Sequence, residues 1–146
     1  SGVLWYRRHF KVSPNFEGKI IKIVFEGVDY TADVWLNGEY IGFHEGYFQH
    51  FSFDITNVIN YGGDNVLVVR VDSPYEEPEK VWSLHKRLIK GIFNHHDTRP
   101  GGAWSIRGQD KNTGGIWGSV YLKISCSIAI EQLKITPLKS MEGKES

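Results

Sequence analysis

Apolar and polar residues alternate with a period of two in stretch after stretch of this 146-residue chain. Ile21, Ile23 and Phe25 make one face against Lys22 and Glu26, with Val24 as an exception. Leu67, Val69 and Val71 repeat the pattern, as do Val120, Leu122 and Ile124 against Ser119 and Lys123. Successive side chains of a strand point to opposite faces, so this period belongs to antiparallel strands with one face on a core and one in water. No segment keeps helical spacing for three turns.

Turn residues separate these runs. A first strand spans about Leu4 to Val12, ended by Ser13-Pro14-Asn15 through Gly18. Asn37-Gly38 lies between Asp33–Leu36 and Glu39–Gly42, and both residues tolerate the positive φ of a type I′ turn, which predicts a hairpin. Asp54-Ile55-Thr56 starts a short helical turn, and a strand runs from Asn65 to Asp72. Two more strands are expected over Ile116–Ser125 and Ile128–Thr136. Many short strands with turns every 8–12 residues or so read as an all-β fold: an antiparallel β-sandwich or jelly roll carrying one long irregular loop. Trp35, Phe25 and Phe53 are expected to fill its core, and Cys126 to be a small core residue.

From Ser73 to Gly115 the alternation stops, replaced by Pro74, Pro78, Pro100, glycines, histidines and Trp82, Phe93 and Trp104. A connection of about 40 residues far exceeds the usual loop of about 4–6, so it is either functional or disordered, and its aromatics argue against a floppy linker.

The charge balance excludes one partner class. Seventeen Lys and Arg against 17 Asp and Glu leave no net charge, whereas nucleic-acid binders need excess base to neutralise phosphates. No apolar run approaches the roughly 20 residues that span a bilayer, so no membrane is expected as a partner. A single cysteine leaves the compartment open between periplasmic, secreted and cytoplasmic.

The long loop holds the candidate chemistry. His95-His96-Asp97 with His85 upstream matches no common zinc spacing, so no metal site is assigned. Glu76, Glu77 and Glu79 lie about Pro78 as a solvated surface would, and nothing pairs two carboxylates for acid/base work, so no catalytic residue is assigned. Asn94, His95, His96, Asp97, Arg99, Trp104, Arg107, Gln109, Asp110 and Asn112 combine flat aromatic surface with bidentate hydrogen-bonders. A sugar presents the same duality, an apolar ring face edged by hydroxyls that donate and accept. Two readings stay open: a carbohydrate-binding loop, or a loop anchored by Trp82 and Trp104 in which Arg107 and Asp110 pair with each other.

An ordered series of motifs then carries a resemblance: Trp5-Tyr6-Arg7-Arg8-His9-Phe10, Phe25-Glu26-Gly27-Val28-Asp29-Tyr30, Val34-Trp35-Leu36-Asn37-Gly38, Phe53-Asp54-Ile55-Thr56, Asn65 through Val71, Gly114-Gly115-Ile116-Trp117 and Val120-Tyr121-Leu122. From Trp5 to Ile124 the chain resembles the N-terminal sugar-binding domain of family 2 glycoside hydrolases, the β-galactosidase, β-glucuronidase and β-mannosidase group. The resemblance implies a galactose-binding-like jelly roll over residues 1–126, with 127–146 a linker or the first strand of a following immunoglobulin-like domain. It implies carbohydrate as ligand, that immunoglobulin-like domain and a (β/α)₈ barrel as partner modules, and both catalytic glutamates in the barrel. It also implies sequence ahead of the Trp-Tyr-Arg-Arg stretch, so that an edge strand is absent or replaced here. Asp110, with Asn112, matches the acidic position that in several members helps bind sugar or a cation. On this basis Asp110, Asn112, Arg107, Trp104, His96 and Asp97 are the candidate carbohydrate-binding residues, with no cofactor beyond a cation compatible with Asp110 in the parent.

Overall fold

The computed structural model describes residues 2–73, 114–126, 128, 130 and 133–137. The alternating runs form strands: β1 (Gly2–Lys11), β2 (Ile20–Phe25), β3 (Val28–Asp29), β4 (Thr31–Leu36), β5 (Glu39–Glu45), β6 (Phe51–Asp54), β7 (Asp64–Ser73), β8 (Gly115–Ile116) and β9 (Val120–Ser125). A 3₁₀ turn at Pro14–Phe16, capped by Ser13, lies where the Ser-Pro-Asn signal places a turn. No α-helix occurs among the described residues.

The strands form a four-stranded sheet in the order β1-β7-β4-β5, a three-stranded sheet β6-β2-β9 and a short pair β3-β8, with every strand pairing antiparallel. The two larger sheets face each other. Ala32, Val34, Leu36, Leu67, Val69 and Val71 of one meet Ile21, Ile23 and Phe25 of the other, closed at the ends by Val12, Val28, Ile55 and Ile59. Phe25 is fully buried, whereas Phe53 is half-buried at the core margin.

Asn37-Gly38 turns the β4–β5 hairpin, at φ 54° and 87° respectively. Its geometry is also held from outside. Asn37 Nδ2 donates to Val58 O and to Asn65 Oδ1, both at 2.9 Å, and Asn37 Oδ1 accepts from Val66 N at 2.9 Å. Asn65 is fully buried, and its remaining groups bond the Asn60 backbone. The expected helical turn is a single hydrogen-bonded turn from Ile55 to Ile59. Asp54 starts it by accepting from the Thr56 hydroxyl (2.6 Å) and amide (2.9 Å), bonds that hold its carboxyl below the usual range.

Four expectations need correction. Trp35 is not in the core: it alternates with buried Val34 and Leu36 and so faces outward, packed between Trp5 and Tyr40. The strand expected over Ile116–Ser125 is broken at Trp117-Gly118-Ser119, where the amides of Trp117 and Gly118 both bond Gly27 O. Cys126 is exposed just beyond β9, past the last pairing to β2. The described residues within 128–136 adopt no strand, and Ile128, Ile130, Leu133 and Ile135 are exposed.

Among the described residues, the sandwich is open on one side. The three-stranded sheet does not extend over β1, which is exposed along nearly its whole length although it pairs with β7 throughout. A groove of about 520 Å³ therefore runs between β1 and β9, floored by Phe10, Ile23, Leu67, Val69, Ile116 and Leu122.

Candidate functional site

The short β3–β8 pair decides where the long loop begins and ends. Val28 pairs with Ile116 and Asp29 with Gly115, which brings the loop's exit beside its entry at Ser73. The two ends touch: a Cβ placed on Gly114 would lie 2.3 Å from Ser73 Oγ, so only glycine lets them meet. Ser73 Oγ in turn donates to Asp29 O at 2.5 Å.

Around these ends the sheet termini build a rim of rings and carboxylates. Asp29 is 2% exposed, and its peptide bond to Tyr30 is cis. The Tyr30 hydroxyl donates to Glu45 Oε1 at 2.5 Å, and Gly46 N donates to Tyr30 O at 3.0 Å, which joins the end of β5 to the start of β4. Ring centroids follow one another from Tyr30 to Tyr47 (4.7 Å), Phe48 (5.9 Å) and Trp117 (6.1 Å). Trp117 is fixed by an Nε1 bond to Tyr47 O at 3.0 Å and by lying over Gly27, where any Cβ would come within 2.3 Å of the indole. Phe48 keeps half its surface in solvent.

His44, next to this rim, stacks on Phe51 at 3.9 Å. Burial pushes its imidazole pKa below the ordinary value, outweighing the opposite pull of Glu45. The rim offers apolar ring faces, an exposed tyrosine–glutamate pair and a buried aspartate, which suits binding a polar ligand with a flat face. Among the described residues no three His, Cys, Asp or Glu side chains gather as a metal site would require.

The candidate residues His96, Asp97, Trp104, Arg107, Asp110 and Asn112 lie outside the described residues, as do Trp82, His85, His95, Arg99 and Gln109. What the structure adds is the place where their segment is anchored. Sequence reading missed Tyr30, Glu45, Tyr47 and Phe48 as rim residues. The available signal was the Glu45-Gly46-Tyr47-Phe48 run, where a glycine and two aromatics follow the hairpin's second strand.

Comparison with known proteins agrees with this architecture. The family described as glycosyl hydrolase 2 galactose-binding domain-like matches residues 3–125. A β-galactosidase of Thermoanaerobacter pseudethanolicus is 50% identical over 96 residues, which cover 64% of this chain and 13% of that protein. A β-glucuronidase of Formosa agariphila is 39% identical over 105 residues, covering 64% and 11%. A glycosyl hydrolase family 2 structure from Bacteroides cellulosilyticus superposes with a TM-score of 0.59 at 25% identity, over 86% of this chain and 13% of that one. The chain thus corresponds to a small part of each relative.

Proposed function

Since this chain belongs to the galactose-binding-like domains of glycoside hydrolase family 2, we propose that it is a non-catalytic wall of a larger β-glycosidase, its long loop helping to shape the parent's sugar pocket. The observation that carries this reading is the contact between Ser73 and Gly114 on the aromatic and acidic rim. A segment whose two ends are held together has part of its loop-closure entropy already met by the fold, so ordering it against a ligand costs less. Within it Trp104 would cover a sugar face, while Asp110, Asn112, Arg107, His96 and Asp97 would pair with hydroxyls and set the ring's orientation. Bond cleavage would fall to two carboxylates of a barrel module, acting with retention.

The test uses the full-length parent. Asp110→Ala and Trp104→Ala should each lower kcat/KM on aryl β-galactosides or β-glucuronides about tenfold or more, which corresponds to about 1.4 kcal/mol, with the melting temperature unchanged. Unchanged kinetics with a lowered melting temperature would instead make the loop a purely architectural or oligomer contact.

A further inference from the structure

The rim's Tyr47 and Phe48 stand on a short connection, residues 46–50 between β5 and β6, and one pair of rings closes its base. His44, next to last in β5, stacks on Phe51, the first residue of β6, with centroids 3.9 Å apart and planes 13° from parallel. These are edge strands of different sheets, so the stack also joins the two sheets along this side. The same seam continues at Gly42, where a Cβ would come within 2.4 Å of the Phe53 ring. Ala32, the register partner of His44, is fully buried, so the imidazole faces inward.

Nε2 of this imidazole is buried and has no hydrogen-bond partner among the described residues. It lies against the start of the connection: a Cβ on Gly46, at φ 141°, would be 3.6 Å from it. A neutral imidazole leaves one nitrogen without a proton, whereas the protonated ring carries N–H on both. A buried cationic N–H with no acceptor is costly, and burial accordingly holds His44 below its ordinary pKa against the pull of Glu45. Attraction of a cation for the Phe51 face supplies no acceptor at Nε2. Nor do the charged groups around the stack. Glu45 accepts from Tyr30, and Asp33, beside Ala32, pairs with Arg70. Glu26, next to the Phe25 ring that backs Phe51, accepts from Ser119 N, and His50, ahead of Phe51, is exposed.

From this arrangement we propose that the His44–Phe51 stack is a proton-operated clasp, closed on the rim while His44 is neutral and released when its imidazole takes up a proton. Release swings the ring out to water and unfastens residues 46–50 at their base. Tyr47 then leaves Tyr30 and Trp117, and the run of ring faces that the rim offers is broken up. In the released state the imidazole titrates at about its ordinary 6.5, so below that pH one proton favours release by at most about tenfold per pH unit. The rim is thereby complete at neutral pH and loosened in mild acid. The clasp stands on the geometry of the rim alone and does not require the proposed role of the long loop.

The experiment is NMR hydrogen exchange on the 146-residue chain at about pH 7 and pH 5, corrected for the intrinsic pH dependence of exchange. Gly46 N, bonded to Tyr30 O, and Trp117 Nε1, bonded to Tyr47 O, report on the rim. Asn37 N, bonded to Val66 O at the other end of the hairpin, reports on the rest of the domain. Protection at Gly46 and Trp117 should fall about threefold or more at the lower pH while Asn37 keeps its own. The fall should follow the titration of the His44 ring, read from its own resonances. His44→Phe keeps a ring on Phe51 without the proton and should abolish the pH dependence, whereas His50→Gln should preserve it. The idea is overturned if rim protection is the same at both pH values, or falls where His44 does not titrate. It is also overturned by a dependence that folded His44→Phe retains or His50→Gln loses, or by an equal loss at Asn37, which would mean general unfolding.

Discussion

Asn37 and Asn65 show how much one side chain can hold at the residue scale. Asn37 takes the positive φ that begins the hairpin turn, and its amide ties the hairpin to β7 and to the Ile55–Ile59 turn. Asn65, fully buried, accepts from both Asn37 and Asn60 N. Asn65→Ala leaves Asn60 N and one Asn37 proton without these acceptors, and should lower unfolding free energy by about 2–4 kcal/mol, read from urea titration. A loss under about 0.5 kcal/mol would mean that water replaces both bonds. His44 supplies a pH dependence. Its native pKa lies below the ordinary value of about 6.5, so the unfolded chain takes up a proton that the native state refuses. Stability therefore falls as pH drops through about 6.5, and levels off once the native imidazole titrates. His44→Phe keeps a ring against Phe51 and should flatten the urea midpoint between about pH 7 and pH 5; an unchanged slope would assign the effect elsewhere.

Among the elements, the join between β2 and β3 and the break between β8 and β9 depend on each other. Gly27 sits under Trp117, and a Cβ on Gly118 would lie 2.6 Å from Gly27 N. The chain bends there so that Gly115–Ile116 can leave the plane of β9 and pair with Val28–Asp29. Gly27→Ala should therefore displace the indole, costing about 1–3 kcal/mol and shifting tryptophan emission. A double-mutant cycle with Trp117→Ala should recover most of that loss; simple additivity of the two substitutions would show that the glycine matters for another reason. Gly27 stands within one sequence motif and Gly118 directly after another, yet neither reveals a close approach, because the partner backbone is about 90 residues away in the chain.

For the whole molecule, the described residues leave the groove between β1 and β9 open and the side chains of Ile128, Ile130, Leu133 and Ile135 exposed. The chain covers only 13% and 11% of two curated relatives. Glycoside hydrolysis with retention needs two carboxyl groups about 5–5.5 Å apart across the scissile bond. The rim's two carboxylates are otherwise engaged: Asp29 is buried and Glu45 accepts from Tyr30. The 146-residue chain alone should accordingly release no chromophore from aryl β-galactosides or β-glucuronides above the buffer rate. Clear turnover that survives purification would place catalytic machinery inside this domain.

Period-two alternation and Asn-Gly turn chemistry are local properties, and they determined the long strands β1, β2 and β7, the β4–β5 hairpin and the all-β class from the sequence alone, but not the short strands β3, β6 and β8 or the break at Trp117-Gly118-Ser119. The ordered motifs likewise carried the family, since they span nearly the whole sandwich. What the local pattern could not decide is which face of a strand meets the core when both faces carry large apolar groups. Val34-Trp35-Leu36 is such a run, and only the pairing of β4 with β7 and β5 turned Trp35 outward. The rim was illegible for a related reason: Tyr30, Glu45, Tyr47 and Trp117 are brought together by contacts across the chain, and a sequence records spacing but not the sheet that closes it.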